Sequence, residues 1–368
     1  MQNPPAKDGD RAQDVETPAL MVDLDALEAN LDRMAGAVRA HGLRLRPHAK
    51  SHKCPAIAAM QVARGAVGIC CQKTDEAAAF VEAGIADVLV TNEVIAPSKL
   101  ARLALLARRA RIGVLCDDAR AVGELSHAAV AAGVSLDVYV EVDVGAHRCG
   151  LAPGPPAAAL AHAIAHARGL RFAGLHCYQG AAQHLRSPEA RRAAIAAAAQ
   201  AAIAARDACV AIGVAVDTIT GAGTGSFEYE MASGVWTELQ PGSYPFMDAD
   251  YARNTIAPDA LRFAQSLYVM TTVMSTPAPD RAICDAGLKS MSFDSGLPQV
   301  SQRDGLVYAK ASDEHGVLDV THPPAGWGER LRLVPGHCDP TVNLYDWLVG
   351  LRADRVEAVW PVARGTLG

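Results

Sequence analysis

The sequence predicts an α/β protein, a (β/α)8 barrel of the TIM type joined to a C-terminal all-β domain. Three observations carry that reading. Between residues 43 and 240, short apolar strand patterns alternate with Ala/Leu-rich helical patterns eight times, the count a closed barrel needs. From about Leu261 the helical patterns stop, and short β-rich runs separated by Pro/Gly turns replace them. Several strand candidates also carry polar residues on one face only and end in a Gly-, His- or Arg-bearing loop, as strands lining a barrel mouth do. A doubly wound open sheet is the alternative reading of the same alternation.

In order, residues 1–18 are polar and Pro-rich; they read as a flexible N-terminus without an apolar signal core. Ala19 to Leu24 reads as a strand that can join the β domain. Asp25 reads as the cap of a helix over 26–41, with Leu27, Leu31, Met34 and Val38 at helical spacing. The barrel strands are expected at 43–48, 67–71, 87–91, 111–116, 136–142, 172–178, 216–220 and 237–240. Helices are expected at 55–64, 75–83, 97–109, 119–132, 156–167, 188–212 and 227–233, so the barrel domain is 19–260. The β-rich domain, 261–368, has runs at 266–274, 281–286, 305–310, 330–334, 344–351 and 355–361. Turns fall at Thr276-Pro277-Ala278-Pro279-Asp280 and His322-Pro323-Pro324-Ala325-Gly326.

Composition narrows the function classes. Of 368 residues, 50% are hydrophobic and 20% charged, which is globular composition, and the formal net charge of −6 argues against nucleic-acid or anionic-membrane partners. The nine cysteines include adjacent Cys70 and Cys71 but no CxxC, so reduced thiols in the cytoplasm are expected. No uncharged apolar run is long enough, at about 18 residues, to cross a membrane.

The chemistry-bearing stretch is Arg44-Leu45-Arg46-Pro47-His48-Ala49-Lys50. As a strand it places Leu43, Leu45, Pro47 and Ala49 on one side and Arg44, Arg46, His48 and Lys50 on the other. A lone lysine among cations and imidazoles has its pKa lowered and becomes a nucleophile towards a carbonyl. Glu141 and Asp143 alternate with valines on a later strand, and His176 and Tyr178 share a face on the next. Buried polar groups must be paired, so these line either a functional site or an internal hydrogen-bonded network. After the seventh strand, Gly221-Ala222-Gly223-Thr224-Gly225-Ser226 offers backbone N–H groups and hydroxyls to a phosphate, where barrels commonly bind one. It is neither GxGxxG nor a P-loop, and alone it also fits a flexible turn. With Lys50 it asks for a phosphorylated carbonyl cofactor, pyridoxal 5′-phosphate. Near the C-terminus, Pro340 favours extended geometry at Asp339, which would project His337 and Asp339 to one side. That pair suits Mn²⁺, Mg²⁺ or Zn²⁺, although His-x-Asp by itself is common.

With these residues in view the chain resembles the D-threonine aldolase family of fold-type III pyridoxal-phosphate enzymes, and within it the 3-hydroxy-D-aspartate aldolases. The resemblance rests on Arg46 to Lys53, Cys70-Cys71-Gln72-Lys73, Glu141 to Gly145 with Arg148-Cys149-Gly150, and Gly221 to Ser226. It continues through Glu238 to Tyr244, Met247 to Tyr251, Asp285 to Lys289, Asp313 to Gly316 and Pro335 to Thr341, spanning about residues 15 to 365. It implies that Lys50 forms the internal aldimine. Gln72, Gly223, Thr224, Gly225, Gly242, Ser243 and Tyr251 would hold the cofactor, with Arg148 and Tyr178 close to its ring. His337 and Asp339 would bind the divalent metal, His184 would be the catalytic base, and the enzyme would be a homodimer. The implied reaction is reversible cleavage of a D-3-hydroxy-α-amino acid to glycine and an aldehyde. There are departures. Gln179 stands where many D-threonine aldolases have His, and Ala222 replaces a usual Gly, tolerable at negative φ. Asp339 stands where related D-serine dehydratases have Cys, which favours aldol cleavage over water elimination. The rival readings are a dehydratase acting on D-serine or D-threo-3-hydroxyaspartate and a non-catalytic pyridoxal-phosphate-binding barrel.

Overall fold

The computed structural model describes residues 3–258 and 260–364. Eight parallel strands form the first sheet: β2 (Arg44–Leu45), β3 (Ile69–Cys71), β4 (Asp87–Glu93), β5 (Arg111–Cys116), β6 (Leu136–Glu141), β7 (Leu170–Cys177), β8 (Ile219–Gly221) and β9 (Glu238–Leu239). Their order is β2-β9-β8-β7-β6-β5-β4-β3. The ring closes because the chain after β2 pairs with β3, through Val67 N–H to Leu45 O (2.9 Å), Cys70 N–H to Pro47 O (2.8 Å) and Ala49 N–H to Cys70 O (2.8 Å). The alternation therefore becomes a barrel and not an open sheet. β1 (Ala19–Asp23) precedes it.

Helices α1 (Leu24–Ala40), α2 (Pro55–Ala63), α3 (Thr74–Glu82), α4 (Pro97–Leu106), α5 (Ala119–Ala132), α6 (Pro155–His166), α7 (Pro188–Ala211) and α8 (Phe227–Ala232) follow their strands. Asp23, not Asp25, caps α1, its carboxylate accepting from Ala26 N–H at 3.0 Å. By length and composition α7 could cross a bilayer, but Ile195, Ala198, Ala202, Ala205 and Cys209 along it are buried within the fold.

The second sheet is mixed. It holds β10 (Leu267–Ala278), β11 (Arg281–Cys284), β12 (Gln299–Ser301), β13 (Leu306–Ala311), β14 (Gly316–Val320), β15 (Arg330–Val334), β16 (Trp347–Arg352) and β17 (Arg355–Pro361). β1 joins this sheet, antiparallel to β10 and parallel to β16. β12 and β14 escaped the sequence reading because each is short and flanked by turn residues, and β10 runs through Thr276-Pro277-Ala278, leaving only Pro279 and Asp280 as the turn. Two further short helices, α9 (Ala249–Ala252) and α10 (Cys338–Val342), were also unforeseen.

The N-terminal segment is not the flexible arm its composition suggests. Gly9 N–H donates to Val356 O (2.9 Å), Ala12 N–H to Asp354 O (2.8 Å) and Val356 N–H to Asp10 O (2.9 Å), while Val15 is fully buried. Backbone pairing and one apolar anchor order it where side-chain polarity predicts fraying.

Inside the barrel, polar and apolar layers alternate along the strands. Arg46 lies in the interior, its Nε 2.9 Å from Glu238 Oε1 and its Nη1 2.6 Å from Asp87 Oδ1. Cys70, Leu89, Leu115 and Tyr139 form an apolar plug. Glu141, two residues beyond Tyr139 on the same face, opens the next polar layer.

Candidate functional site

Above that layer, at the C-terminal ends of the strands, lies a cavity. It is lined by His48, Lys50, Gln72, Thr91, Arg148, His176, Tyr178, Ala222, Gly223, Thr224, Gln240, Gly242, Ser243 and Tyr251. The segments after six different strands thus converge on one concavity, as in other barrels.

Lys50 follows β2, and its Nζ sits 2.5 Å from Asp339 Oδ2. Its pKa is not lowered. The Asp339 charge holds it well above the usual lysine range, outweighing burial, and its neighbour cations have little say. The imidazoles beside it are uncharged: burial, then the Lys50 charge, push His48 far down. His48 Nδ1 accepts from Lys50 N–H (3.3 Å) and so Nε2 carries the proton towards Thr91 Oγ1 (2.8 Å). Gln72 donates to the same hydroxyl at 3.0 Å.

The opposite wall is the glycine loop. Thr224 Oγ1 accepts from Ser243 N–H (3.0 Å) and Tyr244 N–H (3.1 Å), tying the loop to the chain after β9. The amides of Gly223, Thr224 and Gly242 have no hydrogen-bond partner among the described residues, and all three residues line the cavity. Unpartnered backbone donors that converge on a concavity make an anion nest, so a phosphate fits here. Gly225 does not share in it: its N–H donates to Gln183 Oε1 at 2.8 Å, behind the loop. A Cβ on Gly242 would come within 2.9 Å of His48 O, so only glycine admits this approach. Ala222 has φ +75°, contrary to the negative φ expected of it, so a left-handed residue with a side chain opens the loop.

Arg148 lies 5.8 Å over the Tyr178 ring and 3.8 Å from Glu141 Oε1. Glu141 pairs with His176 Nδ1, and His176 Nε2 is 3.1 Å from Gln240 Oε1. Asp143 takes no part. Its carboxylate accepts from Gly145 and His147 N–H and from the His147 ring, shaping its own loop.

His337 is extended, but Asp339, expected to be extended, is helical. His337 is the N-cap of α10 and Asp339 lies in its first turn, where Pro340 is tolerated because that N–H needs no partner. His337 Nδ1 is 2.8 Å from Asp294 Oδ2, which fixes the ring and leaves Nε2 as the ligand atom, the usual preparation of a metal-binding histidine. The Asp339 side chain, 13% exposed, is held well below the usual carboxylate range, because Lys50 and His337 outweigh the cost of its burial. Its other oxygen meets Ser243 Oγ at 3.4 Å. Burial pushes the neighbouring Cys338 thiol far up. A donor set of one imidazole and one carboxylate fits a divalent cation with water completing its shell. A separate trio, Glu93, Asp117 and Cys149, has ligand atoms within 4.8 Å of one another at the ends of neighbouring strands.

His184 is not among the residues lining the cavity. It ends a short 3-10 turn over Gly180–His184, half exposed, with Nδ1 2.8 Å from Asp250 Oδ2, in the residue before Tyr251. Against burial, hydrogen bonds from Arg186, Arg253 and His184 hold Asp250 down at about 2, so it orients the ring as a carboxylate. Gln179, the residue that departs from the aldolase pattern, caps this turn by accepting from Ala181 N–H at 3.2 Å.

The sequence reading placed Lys50, Gln72, Arg148, Tyr178, Gly223, Thr224, Gly242, Ser243 and Tyr251 around one site, and the fold brings them together. It did not assign Thr91, Gln240 or Asp294. Thr91 and Gln240 follow strand patterns and were detectable as polar residues at strand ends; Asp294 has no local signal at all.

Residues 22–250 match the family described as alanine racemase, N-terminal domain, and residues 266–351 match a serine dehydratase domain. The chain is 50% identical over 366 residues to the D-threonine aldolase of an Arthrobacter species, covering 98% of this chain and 96% of that one. It is 47% identical over 368 residues to the 3-hydroxy-D-aspartate aldolase of Paracoccus denitrificans, covering 98% and 95%. The crystal structure of D-threonine aldolase from Filomicrobium marinum superposes with a TM-score of 0.96 at 49% identity, covering 100% of both chains.

Proposed function

Because this chain belongs to the family of D-threonine aldolases and 3-hydroxy-D-aspartate aldolases, built on the alanine racemase fold, we propose that it cleaves D-3-hydroxy-α-amino acids reversibly to glycine and an aldehyde. The observation that carries this reading is Lys50 Nζ and the Asp339 carboxylate meeting at 2.5 Å in a cavity whose other wall is three free backbone amides. Pyridoxal 5′-phosphate supplies the electron sink that makes a Cα–Cβ bond breakable. Lys50 would carry it, the amides of Gly223, Thr224 and Gly242 with the Ser243 and Tyr251 hydroxyls would hold its phosphate, and Gln72, Arg148 and Tyr178 would bound its ring.

His337 Nε2 and Asp339 would hold Mn²⁺, Mg²⁺ or Zn²⁺, whose charge makes a nearby hydroxyl more acidic. With Nδ1 committed to Asp250, His184 keeps Nε2 free to accept the proton of the substrate's β-hydroxyl. His184 lies outside the cavity lining, so it acts from the rim.

The serine dehydratase match over 266–351 favours a second reading, elimination to a keto acid and ammonia. Asp339, at the position where the related dehydratases have Cys, supports cleavage instead. A homodimer is also proposed, supported by exposed Leu288, Leu297 and Trp327 on the β domain, and light scattering tests it. Nine free thiols, eight of them buried, support a reducing cytoplasmic location.

The test is product analysis of cofactor-loaded protein with D-threonine, D-phenylserine and 3-hydroxy-D-aspartate, each with Mn²⁺ and with a chelator. Glycine plus aldehyde, lost on chelation, is the expected outcome. Keto acid and ammonia would overturn it.

A further inference from the structure

Under the cavity, five residues on four strands form one hydrogen-bonded line whose donors can be assigned in turn. Glu238 accepts from Arg46 Nε at 2.9 Å and faces Arg44 Nε at 3.4 Å, so it is an acceptor only. Thr220 Oγ1, 2.9 Å from Glu238 Oε1, must therefore donate its single proton there. The Gln240 amide meets Thr220 Oγ1 at 2.7 Å, and with that proton spent the hydroxyl can only accept. This places the amide NH₂ against Thr220 and its oxygen against His176 Nε2, at 3.1 Å. An amide oxygen is only an acceptor, so His176 Nε2 bears a proton. The other ring nitrogen faces Glu141, which also meets Arg148 at 3.8 Å and serves both as an acceptor, so Nδ1 bears one as well. All five residues are buried.

We infer that His176 is held as an imidazolium by this line, and that its charge adds to the positive charge the cavity offers a phosphorylated ligand. Among the residues lining the cavity, Lys50, Arg148 and His176 are the cationic side chains. The remaining imidazole of the floor, His48, is neutral and adds nothing. Burial and Arg148 oppose the His176 charge, but Glu141 and Gln240 outweigh them and the ring's pKa is raised. His176 is thus a positioning and electrostatic residue, controlled from Thr220, which does not line the cavity. The proton assignment stands on the hydrogen bonds alone, and only the purpose of the charge rests on the cofactor reading above.

The test uses full-length protein labelled with ¹⁵N-histidine, apo and loaded with pyridoxal 5′-phosphate, with the His176 signals assigned by their loss in His176→Gln. Both ring nitrogens are expected at protonated shifts at pH 7. A neutral tautomer at pH 7 in the wild-type protein overturns the inference without recourse to any variant. Thr220→Val removes the hydroxyl at constant shape and frees the Gln240 amide to turn its NH₂ towards His176. The ring should then be neutral by pH 8, and the cofactor Kd, read from the absorbance of the Lys50-linked chromophore, should rise roughly tenfold for the loss of one nearby charge. Thr220→Ser should restore both. If Thr220→Val folds but keeps the charged ring, the chain of donors is wrong. If the wild-type ring is charged yet no cofactor binds, the cofactor reading falls and the proton assignment is upheld.

Discussion

Replacing Gly223 with alanine tests the phosphate-loop geometry directly. A Cβ there would lie 2.4 Å from Gln183 Oε1, 2.5 Å from its Cδ and 2.9 Å from its Nε2, so the amide must move. Long side-chain tips usually move cheaply, but this one is buried and bonded. Gln183 accepts from Gly225 N–H (2.8 Å) and donates to Ser226 Oγ (2.7 Å) and Gln179 O (3.3 Å). Losing two of these costs about 1 kcal/mol each, and a part-buried Gly225 N–H left without a partner costs about 1–3 kcal/mol more. The methyl group gains at most about 0.8 kcal/mol from its own burial. Gly223→Ala should therefore destabilise the apo-protein by about 2–4 kcal/mol in urea unfolding. Because the Gly223 and Thr224 amides shift with the loop, it should also weaken cofactor binding by roughly tenfold or more in an absorbance titration. A loss under about 0.5 kcal/mol with an unchanged Kd would refute the idea that Gln183 braces the loop.

Other perturbations have different signs. Gly36 lies inside α1 with nothing within 4 Å of an added Cβ, so Gly36→Ala should stabilise by about 0.5–1 kcal/mol, and a destabilised variant in the same urea assay would count against it. Burial pushes the Glu230 carboxyl, bonded to Ser226, from 4.5 up to about 8. Between those values the native state holds a proton the unfolded chain has released, so this group lowers stability by about 1.4 kcal/mol per pH unit as pH rises, levelling off above pH 8. Glu230→Gln should thus gain on the wild type from pH 5 to pH 8; parallel urea midpoints would contradict the burial argument. Asp339→Asn should lower Mn²⁺ affinity about 100-fold by calorimetry and abolish activation by the metal, whereas unchanged affinity would remove Asp339 from the metal site.

Much of the architecture was legible in the sequence because its cause is local. Strand and helix periods are set by backbone geometry, so the eight alternations could be counted, and the glycines of the loop after β8 announced a backbone offered to a ligand. Lys50 was legible as the singular amine of its strand. Its charge was not: the sequence's nearby cations argued for a lowered pKa, and a carboxylate 289 residues away raised it. The N-terminal arm is the same case, polar in composition and yet ordered by pairing with β17 at the far end of the chain.

What the sequence by itself determined, then, is which elements form, in what order, and which residue types reach the barrel mouth. Only the tertiary structure decided that His184 lies outside the cavity lining, that Ala222 takes a left-handed turn, that Asp294 orients His337, and that His176 carries two protons. Periodicity acts between neighbours along the chain. Proton position and charge depend on distance and burial in space, and the groups that set them here, Glu238, Thr220, Gln240 and Asp339, meet their partners only once the ring of strands has closed.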